Sequence, residues 1–218
     1  VDAQWRLLDC PERFDLVEVG AGPGTLARSI LSSELECRDA LRYVAVEVSD
    51  AQRRLHTVEM HSQAKMPNSP IVGMIITNEL LDNLPIRLFV FDDVWQEAFV
   101  VEQNKSFVEV LRKVDDAPSW LPRVAPHGAR VPVQCAAARW LADCLKILHG
   151  GSLTVFDYCS MSSDAIVSPW RNWLRTYRQH ELGEHYLRQP GSQDITSHVM
   201  IDQLQLVCQP DRIETQAD

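Results

Sequence analysis

Apolar positions along the chain fall into short runs divided by glycine, proline and polar clusters. Leu16, Val17 and Val19 make a run too short for a stable helix, and its β-branched pair predicts a buried strand. Gly20, Gly22 and Gly24 follow at once and predict a sharp turn. Leu26, Ile30 and Leu31 then share one face of a helix that starts at about Gly24 or Thr25. Residues 41–48 read as the next strand. Ser49-Asp50 reads as the cap of a helix carrying Ala51, Leu55 and Val58. A third parallel strand is expected nearby, and its one candidate is 56–60. Residues 70–77 are strongly apolar and predict a fourth buried strand. Ahead of all these, residues 1–13 read as an amphipathic lead-in anchored by Trp5, Leu7 and Leu8 and broken at Pro11.

The period changes between 86 and 114. Leu88-Phe89-Val90-Phe91, Trp95 to Val101 and Phe107 to Leu111 predict an antiparallel β meander, with turns at Asp92-Asp93 and Gln103-Asn104-Lys105. Residues 115–133 hold four prolines and read as a surface loop. A helix is predicted over 134–148, carrying Ala137, Trp140, Leu141, Cys144, Leu145 and Leu148 and ended by Gly150-Gly151. Residues 153–158 form another central strand, and 160–168 read as a mobile loop. Trp170, Trp173 and Tyr177 interleave with Arg171, Arg175 and Arg178, a pattern read as core and salt bridges rather than nucleic-acid stacking. Residues 191–199 are polar, then apolar again. The pattern as a whole predicts a single α/β domain over 1–218: a mostly parallel, Rossmann-like sheet with the β meander inserted at about 86–114.

Composition narrows the function. The net charge of −9 argues against a nucleic-acid surface. No apolar stretch reaches ~18 residues, so no membrane span is expected. The six cysteines are scattered without a C-x-x-C pair, which suits free thiols in a reducing compartment. The seven histidines form no metal-binding spacing, and no metal is expected. The chain starts at Val1 without a Met and stops at Asp218, and it reads as a piece truncated at both ends.

The turn carries the first candidate chemistry. Its glycines run G-x-G-x-G. A dinucleotide fingerprint would need glycine where Thr25 stands, and no G-K-[ST] follows to make a P-loop. The observed spacing is the one that S-adenosylmethionine-dependent methyltransferases use; a glycine-rich turn of another α/β protein is the alternative. Glu47 lies near the end of the second strand, 27 residues after Gly20, a little beyond the usual ~20 for an acidic ribose ligand. Its carboxylate could accept both ribose hydroxyls or be a solvated strand-end charge. The carboxyl ends of central strands carry the site in an open α/β sheet. That places Glu79 and Asp82, expected on one face of a short helical turn, and Asp157 with Tyr158 on the same rim. Equally, Asn78 could cap a helix whose first turn is acidic for dipole reasons.

Four segments together resemble the MidA family, the group that includes the mitochondrial complex I assembly factor with arginine methyltransferase activity. They are 17–24, Asn78-Glu79-Leu80-Leu81-Asp82-Asn83-Leu84-Pro85, Phe156-Asp157-Tyr158, and 191–199 with its Asp194-Ile195-Thr196-Ser197-His198-Val199. The resemblance spans about 17–200, and the second and fourth segments are its specific parts. It implies a class I methyltransferase fold with S-adenosyl-L-methionine as cofactor. The implied cofactor contacts are Glu18, Gly20, Ala21, Gly22, Gly24, Glu47 and Asn78. Glu79 would grip an arginine side chain of a protein substrate, because protein arginine methyltransferases place an acidic loop after the same strand; Asp82 is the second candidate for that grip, and Asp157 with Tyr158 would complete the wall. His198 is either a proton acceptor or structural. The resemblance also implies a link to complex I assembly, in the cytoplasm of a bacterium or the matrix of a mitochondrion. Two departures stand out: the family's segment before the glycine motif is absent, and 215–218 resemble a family motif cut short. The rival readings are a small-molecule methyltransferase and a non-catalytic assembly protein that keeps the fold.

Overall fold

Every residue from Phe14 to Val19 is buried, and this strand is the middle of a five-stranded parallel sheet. The computed structural model describes residues 1–179 and 181–215; beyond Thr215, the truncated motif expected at 215–218 lies outside them. In chain order the elements are α1 (Asp2–Leu7), β1 (Phe14–Val19), α2 (Thr25–Leu31), β2 (Leu41–Val46), α3 (Asp50–Arg53), β3 (His61–Gln63), β4 (Ile71–Asn78), β5 (Arg87–Asp92), β6 (Val94–Gln103), β7 (Ser106–Arg112), β8 (Arg130–Val133), α4 (Cys135–Ile147), β9 (Leu148–Phe156), β10 (Cys159–Ser160), α5 (Ser162–Val167), β11 (Leu174–Arg178), β12 (Glu181–Leu182), β13 (Asp194–Ser197), β14 (Val199–Met200) and α6 (Ile201–Gln205). They divide between two units. The first is Val1–Leu80 with Ala142–Asp157; the second is Leu81–Leu141 and the chain from Tyr158 onward.

The first unit holds the parallel sheet, ordered β3-β2-β1-β4-β9. One core cluster joins Leu16, Tyr43 and Ala45 to Ala21, Ala27 and Met60. The helix after the turn presents Ala27 as its buried residue, with Ile30 and Leu31 half-buried beside it. The third strand is the polar edge segment His61–Gln63, not 56–60, where Val58 is 98% exposed. The helix capped by Ser49 stops at Arg53, so Leu55 and Val58 never join an apolar face. In the lead-in, Leu7 is exposed and anchors nothing, whereas the Trp5 indole donates to the Pro11 carbonyl at 3.0 Å.

Gly150 and Gly151 do not end α4. The helix passes straight into β9, and both glycines lie inside that strand. Gly151 pairs with Gly73. A Cβ on Gly151 would lie 1.7 Å from the Gly73 carbonyl oxygen, and one on Gly73 would lie 2.0 Å from that of Asp15. Three neighbouring strands approach one another too closely there for any side chain.

The second unit holds the antiparallel sheet, ordered β7-β6-β5-β8. Its hairpin turns fall where the residues suggest, with positive φ at Asp93, Asn104 and Lys105. The proline-rich stretch, read as loop to residue 133, ends instead in β8, which pairs antiparallel with β5. Pro132 is tolerated there because β8 is an edge strand of that sheet. Residues 162–167 are helical rather than loop, with Ser162, Ala165 and Ile166 buried. Ala165 and Ile166 enter the core of Phe89, Val131, Trp173, Leu174 and Met200. A three-stranded sheet, β12-β11-β13, and the pair β10-β14 complete the unit. No helix among the described residues is long and apolar enough to cross a membrane.

Candidate functional site

The turn after β1 is bent back onto the end of β2. The amides of Gly20 and Ala21 both donate to the Val46 carbonyl, at 2.9 and 3.1 Å. Gly20, Gly22 and Gly24 all have positive φ, at 75°, 52° and 78°, a region that favours glycine. Packing adds a second demand at two of them. A Cβ on Gly20 would lie 3.1 Å from Leu80, and one on Gly24 would lie 3.0 Å from Met60 Sδ. A Cβ on Gly22 would meet no heavy atom within 4 Å. The open side of the turn is therefore at Gly22. Ala21 is buried in the core cluster, which leaves its backbone as the part a ligand can reach.

Glu47 follows β2, and its carboxylate is tied to the turn. Oε2 accepts the Gly22 amide at 2.9 Å, and Oε1 accepts the Ser49 amide at 2.8 Å. Each oxygen keeps a further acceptor position. A carboxylate fixed in this way matches the two hydroxyls of a vicinal diol. Glu18 is placed differently. It is buried in β1, and its Oε2 accepts the Tyr43 hydroxyl at 2.7 Å. Burial raises its pKa, against the pull of the Tyr43 hydrogen bond and the nearby His56.

The ends of β4 and β9 lie side by side, with Asn78 opposite Phe156. Asn78 and Glu79 are exposed, and Asp157 is half-buried. The Glu79 amide donates to the Phe156 carbonyl at 2.8 Å, and Glu79 has φ of 50°. This left-handed residue stops β4 before any helix begins. The expected helical face shared by Glu79 and Asp82 does not form, and neither does a helix capped by Asn78. Asp82 belongs to the second unit, in a single 3-10 turn over Leu81–Asn83. It is 4% exposed and accepts the Asn83 side-chain amide at 2.6 Å. His198 also lies in the second unit. Its Nδ1 is 2.7 Å from Ser160 Oγ, and its ring stacks on Tyr158. Burial lowers its pKa, and Arg175 adds to that.

One residue of the turn escaped the sequence reading. His56 Nε2 is 2.8 Å from the Gly22 carbonyl oxygen, and its Nδ1 is 2.8 Å from Ser62 Oγ. No spacing rule marks it, because its partner in the turn is a backbone oxygen 34 residues away. Among the described residues no group of three or more His, Cys, Asp or Glu could hold a metal ion.

Residues 1–216 match the family described as "Putative S-adenosyl-L-methionine-dependent methyltransferase". The chain belongs to this family. Over 239 aligned residues it is 25% identical to the protein arginine methyltransferase NDUFAF7 homolog, mitochondrial, of Drosophila melanogaster, an alignment covering 90% of this chain and 53% of the relative. The chain thus spans about half the length of that relative. Two solved structures from Burkholderia thailandensis share the fold. One, an uncharacterized COG1565 superfamily protein, has a TM-score of 0.76 at 23% identity, covering 94% of this chain and 60% of that one. The other, described as a COG1565 superfamily member bound to S-adenosyl-homocysteine, has a TM-score of 0.74 at 24% identity, covering 92% and 56%. In this member of the methyltransferase family the open side of the turn lies at Gly22, and the Glu47 carboxylate is bonded to the Gly22 and Ser49 amides.

Proposed function

We infer that the chain is the cofactor-binding part of an S-adenosyl-L-methionine-dependent protein arginine methyltransferase of the MidA type. The observation that carries the reading is the Glu47 carboxylate, fixed at both oxygens by the Gly22 and Ser49 amides with one acceptor position left on each. In this reading Glu47 takes the two ribose hydroxyls. The backbone at 20–24 lies along the nucleoside, reached at Gly22, and Asn78 borders it from the end of β4. Glu18, the residue before Val19 and Gly20, is bonded to Tyr43 and ties β1 to β2 behind the turn.

When bound, the cofactor supplies an electrophilic methyl on a sulfonium, and its transfer to a guanidino nitrogen releases a proton. Free guanidinium, with pKa above ~12, is a poor nucleophile while its charge is delocalised. Carboxylates held in fork geometry orient one nitrogen and favour positive charge on the others. Glu79 and Asp157 leave adjacent strands at one level, and they are assigned that grip. Asp82, buried against Asn83, is given the structural part of holding its turn. The protein arginine acceptor is supported by the name of the Drosophila relative. The link to complex I assembly, and with it a matrix or bacterial cytoplasmic location, rests on the MidA resemblance of 78–85 and 191–199.

Calorimetric titration of S-adenosylhomocysteine tests the cofactor reading, with micromolar binding expected; no binding would overturn it. Labelled S-adenosylmethionine added with a cell extract tests the acceptor, with methylarginine expected in hydrolysed protein. Label confined to small molecules would move the reading to a small-molecule methyltransferase. Binding without transfer would leave an assembly protein that keeps the fold.

A further inference from the structure

We propose that His56 is a positioning residue of the cofactor turn, holding the Gly22 carbonyl while Glu47 holds its amide; the proposal rests on the cofactor reading above. Gly22 is held at both ends. Its amide donates to Glu47 Oε2 at 2.9 Å, and its carbonyl oxygen lies 2.8 Å from His56 Nε2. A carbonyl oxygen accepts only, so Nε2 carries a proton. In the neutral ring Nδ1 is then the acceptor, and the Ser62 hydroxyl donates to it over 2.8 Å.

Packing fixes the imidazole as well. A Cβ on Gly24 would lie 3.3 Å from His56 Cδ2, so the ring already fills the space beside the third glycine. Ser62 belongs to β3, the polar edge strand. That strand places the hydroxyl that orients the ring, and the ring fixes the residue at the open side of the turn. Gly22 has φ of 52° and no packing neighbour at its Cα face. Its conformation is set by these two hydrogen bonds together with the turn's own bond, from the Gly24 amide to the Ala21 carbonyl at 2.9 Å. Loss of the His56 bond loosens the Gly22 amide and with it the hold on Glu47 Oε2, while Oε1 stays on the Ser49 amide.

The test separates the two ring nitrogens. In His56→Gln the amide nitrogen replaces Nε2–H; in His56→Asn it replaces Nδ1 and cannot reach Gly22. His56→Leu removes both. S-adenosylhomocysteine titration is expected to show His56→Gln near the native affinity. His56→Asn and His56→Leu are expected to bind about three- to tenfold more weakly, the value of one net hydrogen bond. Amide hydrogen exchange of the ligand-free chain gives a readout independent of binding: segment 20–24 exchanges faster in the Asn and Leu variants, with exchange in β4 and β9 unchanged. Native affinity and native exchange in His56→Leu would overturn the proposal. So would equal loss in the Gln and Asn variants, or faster exchange throughout the sheet, which would mark a merely structural histidine. If the native chain fails to bind S-adenosylhomocysteine, the cofactor reading falls, and the exchange comparison alone decides whether His56 holds the turn.

Discussion

The Tyr43 hydroxyl donates to Glu18 at 2.7 Å, joining the adjacent central strands β1 and β2 through two buried side chains. Burial raises the Glu18 pKa above its ordinary 4.5. The folded state therefore binds this proton more readily than the unfolded state does. The group's contribution to stability is fully present below pH 4.5 and is lost as pH rises through the raised folded value. Glu18→Gln is expected to flatten that decline, as denaturant midpoints measured at stepped pH will show. Tyr43→Phe deprives the carboxylate of its donor and is expected to cost about 1–3 kcal/mol at neutral pH, and less in acid.

Glu109 titrates with the opposite sign. Burial pushes its pKa up, but hydrogen bonds from Arg130 and Tyr186 outweigh that and hold it below 4.5. Its contribution is present above pH 4.5 and is lost as pH falls through the lowered folded value. Arg130 donates to both Glu109 oxygens, at 2.9 and 2.7 Å, and both side chains are at most one-fifth exposed. Arg130→Met is expected to destabilise by about 3 kcal/mol, because it strands a buried carboxylate. Adding Glu109→Leu is expected to restore most of that loss in urea unfolding.

The glycine pair between β4 and β9 makes a steric prediction. Gly151 has φ of 118°, and a Cβ there would lie 1.7 Å from the Gly73 oxygen. Gly151→Ala is expected to cost about 3 kcal/mol or more, read as a lower midpoint in denaturant. Gly128→Ala is the control: it also has positive φ, at 76°, but open space around it, and it is expected to lose only about 1 kcal/mol.

At the site, Glu47→Ala is expected to weaken S-adenosylhomocysteine binding by about ten- to a hundredfold, the worth of hydrogen bonds to a charged group. Unchanged affinity would remove Glu47 from the ribose. Glu79→Gln and Asp157→Asn are expected to leave that affinity intact and to lower methyl transfer.

Much of this was readable locally. The runs at 14–19 and 71–78, and the hairpins at Asp93 and at Asn104-Lys105, are set by neighbours in sequence. β3 was not readable, because His-Ser-Gln has no apolar alternation and owes its strand to pairing with Val44, Ala45 and Val46. Gly150-Gly151 looked like a helix stop, since glycine serves both turns and close approach. The partner that decides between them, Gly73, is far away in the chain. Glu47 is singled out by its place near the end of the second strand, 27 residues after Gly20. His56 was hidden because it binds a backbone oxygen that no side-chain pattern announces.

The same β4–β9 pairing has a consequence for how the chain is made. Ile71 pairs with Leu148, so the parallel sheet waits for about a third of the chain to emerge from the ribosome before it can close. During that interval β4 presents an apolar edge, while the hairpins of β5, β6 and β7 form from contacts close in sequence. Synthesis thus leaves the central sheet open until late, and the time of greatest exposure to aggregation falls between residues 78 and 148.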